Sequence, residues 1–249
     1  MTNDPWGQGD SGVRFDWGPI GAQRVSSPGS ALVIVDVLSF TTTVSVAVER
    51  GAAVIPAPWR DGRAEELADE SGAHLAVGRS ETTHESPWSL SPASLRSGQL
   101  PARLVLPSPN GSAIAAASTG VVIAACLRNA RAVGAWLASW SHGTGMPVSV
   151  VAAGERWPDG SLRPALEDLL GAGAVIDALA ANASVRLSSE AAAARTTYAA
   201  TASVAEAIRG CASARELLDQ GFGVDVEIAL EVDATDVVPL LTNGAFGRA

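Results

Sequence analysis

Apolar and polar positions along the chain follow two alternating periods. Ala31-Leu32-Val33-Ile34-Val35 is an unbroken apolar, mostly β-branched run, which predicts a short strand buried on both faces over 31–36. Runs of the same kind recur at 52–57, 73–78, 103–108, 120–126 and 147–154, and 13–18 reads as a short edge strand. Helical patterns lie between them. They cover 41–50, ended by Gly51; 62–71, ended by Gly72; 110–118; 127–141, with Trp136 and Leu137 on the apolar side; and about 164–181. Helices are also expected over 188–208 and 212–220, a last strand over 224–233 and a closing segment over 237–246.

Strands alternating with helices predict βαβ units and a mainly parallel sheet covered on both faces. The expected class is therefore α/β, a three-layer α/β/α fold in one domain over 1–249. "HGTGMP" (142–147) is the one place where two halves could meet. Two stretches break the rhythm. Residues 1–13 are rich in Gly and Asp and read as loose. Residues 79–101 are rich in Ser, Thr and Pro without a period, as in a functional loop or a disordered one.

Charge narrows the partners. The formal net charge is −9, which argues against non-specific binding to nucleic acid or to an anionic membrane. An anionic substrate remains possible where arginines or a metal focus the field. All 17 basic residues are arginine. Schiff-base aldolases, pyridoxal phosphate enzymes and P-loop NTPases all need a lysine and are excluded. Cys126 and Cys211 make no metal-type spacing, and His74, His84 and His142 make no zinc pattern. With no signal-like N-terminus and no apolar run long enough to span a bilayer, the expected compartment is the cytoplasm.

The chemistry gathers where strands end. Asp36 closes the 31–36 strand, and Ser39 or Thr41 would cap the helix that follows, with Thr42 and Thr43 behind. A strand-end carboxylate beside helix N–H groups can hold a divalent metal next to an anion, with phosphate the natural candidate. The alternative is that Asp36 only caps the helix and the threonines only pack. Asn110-Gly111-Ser112 repeats the strand, turn and helix form, as a second anion loop or a simple turn. Glu167 and Asp168 sit early in a helix, as Mg²⁺ ligands or as residues favoured there by the helix dipole. Asp225, Glu227, Glu231 and Asp233 read as one solvated polar face of the last strand. Arg79, Arg128, Arg156 and Arg163 are possible anion clamps, and Arg128 follows a strand directly.

Taken in order, "VIVDVLSFTTTVSVAVERGA", "PNGSAIA", "CLRNARAVGAWL", "AAGERWPDGSLRPALEDLLGAGAVI" and "DVEIALEVDATDVVP" resemble the 2-phosphosulfolactate phosphatase (ComB-like) family over about residues 30–240. The resemblance implies a three-layer α/β fold and Mg²⁺-dependent hydrolysis of a phosphate ester of a small acidic molecule. The named substrate lies on a route to coenzyme M. The implied metal ligands and catalytic groups are Asp36, Glu167 and Asp168, with a metal-activated water or Asp36 itself attacking phosphorus. Ser39, Thr41, Thr42, Thr43, Arg79, Asn110, Gly111, Ser112, Arg128 and Asn129 would contact the substrate, and a homodimer is the default assembly. The chain also departs from the family. Ser39-Phe40 stands where Arg-Ala is usual after the strand-end aspartate, Arg79-Ser80 follows Gly78 where Glu-Arg is usual, and Leu90-Ser91-Pro92 replaces Gly-Asn-Ser-Pro. A catalytically degenerate member that binds a small anionic metabolite is the competing expectation.

Overall fold

The computed structural model describes residues 5–249. In chain order its first half holds β1 (Val13–Trp17), α1 (Gly18–Val25), β2 (Ala31–Val35), α2 (Phe40–Glu49), β3 (Ala53–Ala57), α3 (Gly62–Ser71), β4 (His74–Leu75), α4 (Pro92–Arg96), β5 (Arg103–Pro107) and α5 (Gly111–Ala117). The second half holds β6 (Val121–Ala125), α6 (Ala130–Thr144), β7 (Val148–Ala152), the small pair β8 (Glu155–Arg156) and β9 (Leu162–Arg163), and α7 (Leu166–Asn182). It ends with α8 (Ser189–Ala200), α9 (Val204–Arg209), α10 (Ala212–Asp219), α11 (Gly223–Ala229), β10 (Pro239–Thr242) and β11 (Ala245–Arg248).

One nine-stranded sheet has the order β1-β7-β2-β6-β10-β11-β3-β5-β4. The ladders β1-β7-β2-β6 and β3-β5-β4 are parallel. The β10–β11 hairpin joins them, antiparallel to β6 at Leu240–Ile123 and to β3 at Phe246–Val54.

Because strand side chains alternate in direction, the unbroken apolar run of β2 feeds two cores. Val33 and Val35 face a cluster with Leu170, Val175 and Leu179 of α7 and Val133 and Leu137 of α6. Leu32 and Ile34 face a second cluster with Val44 and Val48 of α2 and Ile114 of α5. The fold is thus a three-layer α/β/α sandwich, and β2 lies deep within it.

Three expectations change. Residues 1–4 of the stretch expected to be loose lie outside the described residues, but 5–12 are ordered onto the sheet. The Gln8 amide donates to Phe15 O at 2.8 Å and accepts from Phe15 N at 3.1 Å. Residues 79–101 are not a structureless loop: they hold a 3-10 turn at Arg79–Glu81 and a bridge from Val77 to Ser89, and their part around the buried Leu90 and Leu95 packs as a wall, while 80–85 and 96–99 are exposed. The strand expected over 224–233 is instead α11, whose buried Asp225, Val226, Ile228 and Ala229 follow the helical period. Its apolar residues alternate in sequence, but burial of Asp225 selects the helix.

Candidate active site

The exit of β2 is built from its own hydroxyls. Thr41 Oγ donates to Asp36 O at 2.7 Å and accepts from Asp36 N at 3.0 Å. Thr42 Oγ donates to Val37 O at 2.8 Å and Thr43 Oγ to Leu90 O at 2.9 Å. All three side chains are fully buried. The threonines expected to hold an anion therefore spend their hydroxyl protons on carbonyls. They fix the turn that aims Asp36 and tie it to the 79–101 wall.

Asp36 is buried, and both of its oxygens accept backbone N–H bonds, Oδ1 from Phe40 at 3.1 Å and Oδ2 from Gly111 at 2.9 Å. The start of α2 and the start of α5 thus converge on one carboxylate. Residue 111 has to be glycine for this approach: a Cβ there would lie 2.4 Å from Phe40 Cδ1 and 2.8 Å from Asp36 Oδ2. Burial raises the Asp36 carboxyl to about 6, against the pull of those two N–H groups, with Glu167 raising it further and Arg79 lowering it.

Helix α7 delivers two more acids. Gly171 lets it approach β2 closely, since a Cβ there would lie 2.7 Å from Val37 Cγ2 and 2.9 Å from Val35 Cγ1. Asp168 then reaches across, accepting from Val37 N at 2.7 Å and Gly154 N at 2.8 Å. It clamps the exits of β2 and β7 together, a positioning role. Burial first, then the charges of Asp36 and Glu167, push its carboxyl well above the ordinary range. Glu167 is buried beside it and acts electrostatically on Asp36, Glu155 and Asp168. Burial and the neighbouring Glu167 also push the Cys211 thiol up to about 12, so that cysteine is an inert neutral wall.

Sequence reasoning missed Glu155. It follows β7 after Ala153 and Gly154, at the same end of the sheet where Asp36 follows β2, and that parallel was the available signal. Its Oε2 accepts from Asn110 Nδ2 at 2.9 Å, and burial and the Asp36 charge push its carboxyl up to about 7. Asn110 is thereby joined to the acidic group. Ser112 is not, since its hydroxyl donates from α5 back to Leu106 O of β5 at 2.9 Å.

Arg79 supplies positive charge. Its Nε meets Asp225 Oδ2 at 3.1 Å and its Nη2 donates to Ser39 Oγ at 2.7 Å and Leu90 O at 3.3 Å. Asp225 is a buried carboxylate that also accepts from Ser91 Oγ and Ala93 N, not the solvated acid expected. A guanidinium thus arrives at Ser39 from another segment of the chain.

Two expected contacts lie elsewhere. Arg128 is buried and pairs with Glu231 and, at 2.7 Å, with Glu49 at the far end of α2, so it is no anion clamp. Asn129 is consumed by Cys126 N, Ala124 O and Val237 O, which fasten β6 to the C-terminal segment. Of the remaining arginines, Arg163 donates to Ser213 Oγ at 3.3 Å and stacks on Trp157, and Arg156 donates to Gly160 O and Pro109 O.

The site therefore has four buried or half-buried carboxylates, Asp36, Glu155, Glu167 and Asp168, with the guanidinium of Arg79 on the Asp36 side, that of Arg163 beside Glu155, and two helix starts aimed at Asp36. Among the described residues no group of three or more His, Cys, Asp or Glu side chains forms a ready metal cage. No described helix is long and apolar enough to cross a membrane.

No curated protein matches the chain, but the family model described as 2-phosphosulpholactate phosphatase matches residues 21–244, from α1 to the turn of the C-terminal hairpin. That span contains every carboxylate and arginine of the site, and the chain belongs to this phosphatase family.

Proposed function

We propose that the chain is a Mg²⁺-dependent phosphatase acting on a phosphate monoester of a small acidic metabolite, 2-phosphosulfolactate or a relative. The observation that carries the reading is the buried Asp36 carboxylate, gripped by the N–H groups of Phe40 and Gly111, in the field of Glu167, Glu155 and Arg79. Phosphoryl transfer asks mainly for positioning and charge neutralisation, which such a preorganised site supplies.

The donor set fits a hard divalent cation. Each carboxylate raises its neighbours' affinity for positive charge, and all offer oxygen. Asp36 and Glu167 would hold Mg²⁺, which needs only one or two carboxylates, with water and substrate oxygens as its other ligands. When bound, Mg²⁺ supplies neutralisation of the phosphoryl oxygens and a water of lowered pKa. The protein's own groups do the rest. Asp168 keeps the exits of β2 and β7 in register. Asn110 orients Glu155. Arg79 keeps Nη1 free of hydrogen bonds to described residues and so can take the second anionic group of the substrate.

The test is phosphate release from 2-phosphosulfolactate, 2-phospholactate and related phosphorylated acids, with Mg²⁺ and then with EDTA. Turnover is expected only with Mg²⁺. Asp36→Asn is expected to lower it by about 10³-fold with the fold retained by circular dichroism. Full activity in that variant would end the assignment. The second reading, a binding module without turnover, draws on Ser39 in place of the usual arginine. It predicts Mg²⁺-independent binding of these acids and no phosphate release.

A further inference from the structure

A cavity of about 380 Å³ adjoins the carboxylates and shares Asn110 and Glu155 with them. Its other walls are mainly apolar, with Trp17 and Ile20 from the β1–α1 junction and Leu162 from the β8–β9 hairpin, beside Arg156 and Ser161. The backbone is shaped to place Leu162 there. Gly18 and Gly154 both have positive φ, and a Cβ on either would lie 3.2 Å and 2.8 Å from Leu162 Cδ1. Ile20 is 73% exposed and Leu162 40%, an apolar rim beside a charged site. The one guanidinium among the lining residues, Arg156, donates Nη1 to Gly160 O and Nη2 to Pro109 O, which turns it along the β8–β9 hairpin. A sulfonate here would meet mainly apolar surface and the carboxylate of Glu155.

We infer that this cavity seats an apolar side chain of the substrate, so that the ester is the 2-phosphate of a hydroxy acid bearing an alkyl or aryl group rather than a sulfonate. The inference rests on the phosphatase reading for its chemistry and on the shape and lining of the cavity for its specificity. With the phosphate at Asp36 and the carboxylate at Arg79, the third substituent on the ester carbon is left to face Asn110, Glu155 and the Trp17–Leu162 walls.

Three esters with the same type of leaving oxygen separate the possibilities: 2-phospholactate, 2-phosphosulfolactate and 2-phospho-3-phenyllactate. The phenyllactate ester is expected to exceed both others by about 10-fold in kcat/KM, the scale that apolar pocket contacts discriminate. Leu162→Asp, and independently the more exposed Ile20→Asp, should shrink the phenyl-to-methyl ratio by about 10-fold. Equal rates, or preference for the sulfonate, would overturn the inference while leaving the phosphatase reading intact. If no ester is turned over, the phosphatase reading fails, and calorimetric binding of the same three compounds decides the cavity's role. Phenyl binding about 10-fold tighter than methyl, lost in both variants, supports it; equal or absent binding overturns it. A variant that turns a dimer into a monomer with the phenyl-to-methyl ratio unchanged also overturns it, and assigns the rim to self-association.

Discussion

Asp36 accepts hydrogen bonds as a carboxylate does, yet burial holds its carboxyl near 6 instead of 3.8, and Glu155 is held near 7 instead of 4.5. Both folded-state values are raised, so between the two values the folded protein binds more protons than the unfolded chain. Each group's contribution to stability therefore falls as pH rises through that window. In EDTA, the thermal midpoint of Asp36→Asn should gain on the wild type as pH rises from 4.5 to 7.5, because the neutral amide escapes the cost of ionising. Mg²⁺ added at pH 7.5 should remove the gain. A difference independent of pH would show that Asp36 ionises without penalty. Gly111→Ala tests the same carboxylate sterically. The new methyl must displace Phe40 or Asp36, at about 1–3 kcal/mol in a urea melt, and turnover should fall with it. At this scale Asp36 was legible, because a charge ending a buried apolar run has to be explained. The roles of the threonines were not, because a hydroxyl's partner is set by the loop's path. Glu155 was obscured by the Gly- and Pro-rich stretch around it, in which no period marks a residue as buried.

Among the elements, α11 does the least expected work. Asp225 holds Arg79 across 146 residues of sequence and also receives Ser91 Oγ and Ala93 N. This one side chain ties the 79–101 wall to the C-terminal helices. Asp225→Ala would leave a mostly buried guanidinium, an N–H and a hydroxyl without their acceptor, at about 3 kcal/mol. Amide exchange should quicken over 79–96 more than over β2, and binding of an anionic substrate should weaken as Arg79 loses its anchor. Uniform exchange across the chain would instead mean that α11 only packs. The alternating apolar residues of this segment suggested a strand because the partner that buries Asp225 is remote. Elements with a strong local signature were read well: β2, α2, α3 with its left-handed Gly72, and α7. β4 shrank to His74–Leu75, since residues beyond Leu75 turn into the wall rather than extending the sheet.

For the whole molecule, the decisive feature is that the chain's last strands lie in the middle of its sheet. The turn at Asn243-Gly244, whose φ angles of 52° and 79° suit a tight hairpin, lies inside the stretch read from the sequence only as a closing segment. Its destination was not legible, because β6 and β3 lie more than a hundred residues away and no local pattern encodes that pairing. Without β10 and β11 the two parallel ladders share no strand pairing. Phe246 is the keystone on the α2 face. It is fully buried and packs edge-on against Phe40, with ring centroids 6.2 Å apart. Phe40 in turn gives Asp36 its N–H. Stability and site geometry should therefore fail together here. Phe246→Ala is expected to cost about 3–5 kcal/mol by urea denaturation. It should also lower turnover under conditions where the variant is still fully folded, because Phe40 gains room to move away from Asp36. Phe246→Leu keeps most of the volume and should cost under about 1.5 kcal/mol with turnover largely kept. Were the alanine variant to lose stability but keep full turnover while folded, the hairpin would hold the sheet together without setting the site, and the position of Phe40 would be fixed by α2 and Gly111 alone.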